Sequence, residues 1–342
     1  MLAASATNGD VAVFSVDSQV QGKNSHLWSS GESTRAVNRI CWHYIEPRTI
    51  GSAHQDGLVK LWDCRQKTTS ASQLKCYQPR ADAARDITFD PFHEHIIAAS
   101  FENGQVMIWD RRAGDIPWMK FSAHLSGAQS LSWSPSSPWT LATGGRDTTI
   151  KVWELMASGH NNHSAGTLSP VEGIATSSHR PQFLINTPSI VSRISWRGTP
   201  HHGDQLASMS SDRGDISVWK LGYNHIPACI LRGHQEEPCV GFAWLDSPVQ
   251  HSVSAADWSP QDSHSAMIHS ADDMEFNDGN HTPHLNQHMV SAGKEGLVAI
   301  QDIRNGYFPR QHMSRNVAAI SARGHIAFHL SNLHKVAKQH FA

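Results

Sequence analysis

Histidine is the chemical resource this 342-residue chain carries in excess, with 24 copies. His281-x-x-His284-x-x-x-His288 has the spacing of metal ligands. It has no cysteine beside it and no second cluster to complete the four ligands a structural zinc takes. It is read as a solvated polar loop, as are His160-Asn161-Asn162-His163 and His201-His202. Serine, histidine and aspartate are common enough to supply hydrolase-type triples, which only a fold can assemble. No catalytic, cofactor-binding or metal-ligating residue is assigned, and no small-molecule substrate is evident. A second pattern is W-D-x-R, found as Trp62-Asp63-Cys64-Arg65 and Trp109-Asp110-Arg111-Arg112. Its arginine reads either as a bidentate anchor for a carboxylate or as an exposed cation after a strand-ending aspartate.

The elements that position these residues repeat. Leu141 to Leu155 (LATGGRDTTIKVWEL) reads as two strands around a tight turn holding Asp147, because strand-forming runs flanking a short acidic turn make a β-hairpin. The strand-ending position recurs at Phe14, Trp62, Trp109, Trp153, Trp219 and Gln301, at spacings of 48, 47, 44, 66 and 82 residues. Most copies carry an upstream strand, as in ARDITFDPF and AQSLSWSP. The first three spacings lie near the ~40–45 residue period of propeller blades. With the Ala123-His124 and Gly233-His234 pairs, this pattern resembles the WD-repeat family over residues 2 to 302.

The resemblance implies an all-β propeller of six recognisable blades, the first one half present, with a degenerate seventh or a tail-closed blade beyond. The expected layout is a propeller over residues 1–302, with polar insertions at 156–188 and 247–288, and a tail at 303–342. Residues 2–16 supply only the last two strands of the first blade. The decoy AADWSPQ leaves the second insertion point open by about 14 residues, one hairpin's worth of strand and turn. The tail has strand-like pieces that could close the ring on that half blade, since an open edge would expose apolar backbone. Loops after the first and third strands of a meander emerge on one side, so both insertions are expected opposite the His and Asp turns. In the family, a turn Asp, a loop His, a Ser/Thr and a Trp share hydrogen bonds; His124, Asp147 and Trp153 take those places, with Thr143 as the hydroxyl. Partial sets are Asp56, Trp62 and Asp63; Trp109 and Asp110; Asp212 and Trp219; and His234.

FENGQVMIWDRR and LATGGRDTTIKVW narrow the resemblance to propeller subunits of the GATOR assembly. That branch relays amino-acid sufficiency to the target-of-rapamycin kinase complex at the lysosome. The chain departs from it in lacking an opening half blade, in its insertions, and in having Ser33 and Asn103 where His or Asp is usual. It also ends before the branch's helical and RING-like regions, so ubiquitin-ligase chemistry is not carried over. A net charge of −2 gives no global basic field for nucleic acid. No secretory leader is expected from the opening LAASATNGDV, and no apolar run reaches the ~20 residues a membrane span needs. Five cysteines without a C-x-x-C pair fit reduced thiols. The expectation is a cytoplasmic, non-enzymatic scaffold in a GATOR-type complex, recruited to the lysosomal surface through partners. Candidate protein-binding residues are Arg35, Arg85, Arg146 and Arg193 on the turn face, and Arg65 and Arg112. One alternative is a cullin-ring ligase substrate receptor using Arg65 and Arg112. An alternative of another class is a metal-dependent or hydrolytic enzyme.

Overall fold

The computed structural model describes residues 1–15, 26–31, 35–66, 72–79, 81–155, 180–198, 203–212, 214–232, 234, 238–245, 288–294 and 296–309, and the backbone of two later strands. These residues form consecutive antiparallel blades. Blade two contains β4 (Val37–Trp42), β5 (Thr49–His54), β6 (Val59–Asp63) and β7 (Gln73–Tyr77). Blade three contains β8 (Ala84–Phe89), β9 (Ile96–Phe101), β10 (Gln105–Asp110) and β11 (Met119–Ser122). Blade four contains β12 (Ala128–Trp133), β13 (Thr140–Gly145), β14 (Thr149–Glu154) and β15 (Phe183–Asn186). Blade five contains β16 (Val191–Trp196), β17 (Gln205–Ser210), β18 (Ile216–Lys220) and β19 (Cys229–Leu231). Blade six shows β20 (Cys239–Trp244), β21 (His288–Gly293) and β22 (Val298–Asp302). The inner strands β4, β8, β12 and β16 touch one another in series, which arranges the blades around a common axis.

Blade one corrects the expectation of two strands. It has three: β1 (Leu2–Ser5), β2 (Val11–Phe14) and β3 (His26–Ser29). His-Leu-Trp-Ser is too short to show strand periodicity, but Trp28 docks it. The indole lies 6.1 Å from the Trp62 ring and its Nε1 donates to the Gln66 carbonyl at 2.9 Å. The insertions are also trimmed. β15 lies inside the expected 156–188 stretch and serves as the outer strand of blade four, and His288 opens β21. The decoy AADWSPQ lies outside the described residues. Two further strands, β23 (Val317–Ile320) and β24 (Ile326–His329), pair with each other. Among the described residues no strand lies beside the free edge of β1 or that of β22.

The core lies between blades rather than within them. Alternate residues of β9 divide: Ile97 and Ala99 pack toward blade two, Ile96 and Ala98 toward blade four. β5 and β9 are therefore buried along their whole length, which explains why IIAASF reads as a continuous apolar run rather than an alternating one. Five such clusters join successive blades from one to six. Tight turns between second and third strands reverse the chain, and Gly57, Gly104 and Gly296 supply a positive φ there. Blade four uses Thr148 at φ 57° instead, a conformation a β-branched residue rarely takes.

Trp28→Ala should cost about 3–5 kcal/mol in chemical denaturation, the range for removing a buried large aromatic. A loss below about 0.5 kcal/mol, typical of a surface substitution, would show that β3 is not docked on blade two.

Candidate functional site

The densest polar constellation sits at the turn end of blade four. β13 supplies Thr143, β14 supplies Trp153 and Thr149, the turn supplies Asp147, and the loop entering β12 supplies His124. His124 Nδ1 lies 2.8 Å from Asp147 Oδ1, and its Nε2 lies 2.8 Å from Thr143 Oγ1. Trp153 Nε1 donates to Thr143 Oγ1 at 2.9 Å, and Thr149 Oγ1 donates to Asp147 Oδ1 at 2.7 Å. The Thr143 hydroxyl accepts from the indole, and His124 bridges that hydroxyl to the Asp147 carboxylate. Burial pushes the Asp147 carboxyl up. The hydrogen bond and charge of His124, with Thr149 and the Leu125 amide, outweigh that and hold it well below the usual range. Gly145 makes room: a Cβ there would stand 2.5 Å from His124 Cγ and 2.7 Å from Asp147 Oδ1.

The acid, imidazole and hydroxyl stand in the order of a hydrolytic triad, which is recognised by geometry and roles. A nucleophile must be reachable, however. Thr143 has no exposed surface and its oxygen is held by Trp153. The array is a buried brace. Other blades keep parts of it around a hydroxyl in the second strand. In blade two, Trp62 Nε1 donates to Ser52 Oγ at 2.7 Å and His54 Nε2 lies 2.8 Å from the same oxygen. Asp56 only caps its own turn through the Leu58 amide. In blade five, Trp219 Nε1 donates to Ser208 Oγ at 2.8 Å, and Asp212 takes the Ser211 hydroxyl. In blade six, His234 Nε2 and Gln301 Nε2 each lie 3.1 Å from Ser291 Oγ. Blade three breaks the pattern, with Trp109 Nε1 donating to the Asp115 carbonyl.

The arginines divide into two groups. Arg65 Nε and Nη2 clamp Asp63, the latter at 2.7 Å, and Arg112 holds Asp110 in the same way at 2.7 Å. Arg304 repeats the clamp on Asp302 at 2.6 Å, a third copy hidden from a W-D search because Gln301 replaces the tryptophan. On the turn face, Arg85 pairs with Glu102, and Arg146 Nη1 reaches the same carboxylate at 2.6 Å. Arg35 is exposed, while Arg193 is half-buried on β16. Among the described residues no group of three His, Cys, Asp or Glu side chains is placed to hold a metal. His281 and His284 lie outside them, as do His160, His163, His201, His202, Ser33 and Gly233.

The family model for the WD domain, G-beta repeat, matches residues 117–154, which span blade four and its array. The chain is a WD40-type β-propeller. This WD40 chain is 30% identical over 244 residues to the human protein named GATOR2 complex protein WDR24, covering 71% of the chain and 28% of that protein. The Drosophila melanogaster protein of the same name is 27% identical over 72% of the chain and 28% of its own length. Restriction of telomere capping protein 1 of Kluyveromyces lactis is 24% identical over 70% of the chain and 20% of its length. The chain thus spans about a quarter of the relatives it matches. A chain of the structure described as "Crystal Structure of Mitotic Checkpoint Complex" superposes with a TM-score of 0.59 at 16% identity, over 88% of this chain and 72% of that one. That likeness shows the fold.

His54 and Thr149 were not among the residues the sequence singled out, and Gln301 stood there only as the occupant of the tryptophan slot. The signal that could have found them is the hydroxyl at the middle of the second strand in blades two, four, five and six (Ser52, Thr143, Ser208, Ser291), around which each of these blades arranges whatever donors it has.

Asp147→Asn should lower stability by about 1–3 kcal/mol at neutral pH, the cost of a broken buried polar pairing. The lowered Asp147 carboxyl stabilises the fold fully above its ordinary value of 3.8, and that contribution is lost as pH falls below it. The gap between wild type and variant should therefore narrow in denaturation at acid pH. An equal gap at pH 7 and below 3.8 would remove Asp147 from the brace.

Proposed function

We propose that this WD40 propeller is a non-enzymatic protein-interaction subunit of a GATOR2-type complex, promoting amino-acid signalling to the target-of-rapamycin kinase complex. The observation that carries this reading is the 30% identity to GATOR2 complex protein WDR24 across 71% of the chain. The match runs along most of the chain rather than one repeat, so it is more than a shared fold. The propeller supplies the means: rigid blades present loops on two faces, and propellers serve mostly as platforms. No helix among the described residues is long and apolar enough to cross a membrane. In this reading the protein acts in the cytoplasm and reaches the lysosomal surface through its partners.

The cullin-ring receptor reading needs Arg65 and Arg112 free to grip an adaptor. Both forks are already closed on Asp63 and Asp110 in bidentate geometry. An adaptor would have to break charge-assisted hydrogen bonds before making its own. The enzyme reading loses its best-formed triad to burial.

Affinity purification of the tagged protein from its native cells, followed by mass spectrometry, should bring down further subunits of a GATOR2-type assembly. The yield should not change in the double variant Arg65→Gln, Arg112→Gln. Recovery of a cullin-ring adaptor that disappears in that variant would overturn the reading.

A further inference from the structure

The inner strands share one irregularity. β4, β8, β12, β16 and β20 each break register at the same point, between Val37 and Arg39, Ala84 and Asp86, Ala128 and Ser130, Val191 and Arg193, and Cys239 and Gly241. A bulge re-aims the side chain that follows it. Five equivalent bulges therefore bring Arg39, Asp86, Ser130, Arg193 and Gly241 into one belt around the axis.

The belt's charges do not balance. Among the described residues Asp86 is its only acid, and its oxygens are already engaged. Oδ2 accepts from Ser130 Oγ at 2.8 Å and the Leu131 amide at 2.9 Å, and Oδ1 accepts from the Ile87 amide at 2.9 Å. Arg39 Nε lies 3.3 Å from Oδ1 but is buried without a well-aligned hydrogen bond. Among the described residues Arg193 makes no hydrogen bond or close ion pair. Its Nη1 lies 3.3 Å from where a Cβ on Gly241 would stand. Burial, with Arg39 nearby, pushes the Arg193 guanidinium down to about 10, so it remains charged at neutral pH. Two guanidinium groups thus share one saturated carboxylate, leaving one uncompensated positive charge in a half-buried site. Such a charge is costly unless an anion meets it.

The rim above repeats the excess. Arg85 and Arg146 share Glu102. Gln129 Nε2 beside them is buried with no acceptor, and the Gly127 position lies against both the Gln129 amide and Arg146 Cδ. Unpaired donors and surplus guanidinium groups therefore lie together at the turn-side start of the inner strands.

We infer that this belt seats a carboxylate side chain from an acidic segment of a partner protein, held between Arg39 and Arg193, with Arg85, Gln129 and Arg146 receiving its neighbours. A carboxylate fits better than a phosphate because the belt lacks one negative charge, whereas a phosphomonoester brings nearly two. Its planar oxygens also match the guanidinium fork. This deepens the protein-interaction reading above and names the chemistry of the partner's contact.

The test measures fluorescence anisotropy of labelled hexaglutamate on the full chain, with inorganic phosphate as competitor. Hexaglutamate should bind and weaken with added salt. Arg39→Gln and Arg193→Gln should each weaken it about tenfold, the size of one charge-assisted hydrogen bond. Arg304→Gln, whose fork is closed on Asp302 of blade six, should leave it unchanged. Arg193→Lys keeps the charge while removing the planar fork, and it decides the matter if a glutamine variant melts early; it should weaken binding as well. No binding by wild type, equal loss in Arg304→Gln, or displacement by phosphate at concentrations where chloride has no effect would each overturn the inference. GATOR2-type subunits that still co-purify while hexaglutamate fails to bind would overturn the belt alone and leave the proposed function standing.

Discussion

Trp62, Trp109, Trp153 and Trp219 stand at the same register of four third strands, and each packs against the blade before it. That contact is the constraint on which the structure depends. A four-stranded blade has two apolar faces and cannot bury both by itself. Each blade is stable only when sandwiched, and a circular array is the arrangement that sandwiches them with few exposed edges. The chain accordingly has no single central core, but a succession of cores at the joints.

Polar groups drawn into those joints must find partners. The array of blade four does this with a hydroxyl at the centre, an indole on one side and an imidazole anchored by an acid on the other. The other blades show which part is needed most. Blade two keeps the hydroxyl and indole and takes its imidazole from the end of the strand itself, while blade six replaces the indole with the Gln301 amide. The indole-to-hydroxyl bond recurs in blades two, four and five, whereas the acid and imidazole come and go. The packing role of the tryptophan explains this hierarchy. It is retained for its apolar surface, and its one polar atom must then be satisfied.

Much of the fold was legible because blade spacing and turn chemistry are local. LATGGRDTTIKVWEL shows both strands, the turn and every member of the brace but His124 in fifteen consecutive letters. Where legibility failed, the cause was a tertiary contact. β3 has no pattern of its own and is a strand because Trp28 meets Trp62. β15 is recruited from within a polar stretch because Ile185 fills the joint to blade five. The site was less legible than the fold. Arg65 and Arg112 read either as anchors for a partner or as exposed loop cations, and only the structure shows their side chains folded back on Asp63 and Asp110. Arg39 attracted no attention, since its position beside Arg193 exists only once five bulges are superposed around the axis.

The functional account needs a rigid platform held by joints between blades, with the polar array as local reinforcement. Hydrogen exchange on the intact protein separates these contributions. If the joints carry the structure, amides of the central strands β5, β9, β13 and β17 should exchange with similar, slow rates, although only β13 belongs to a complete array. Slow exchange confined to β13, with β5, β9 and β17 opening quickly, would contradict the account.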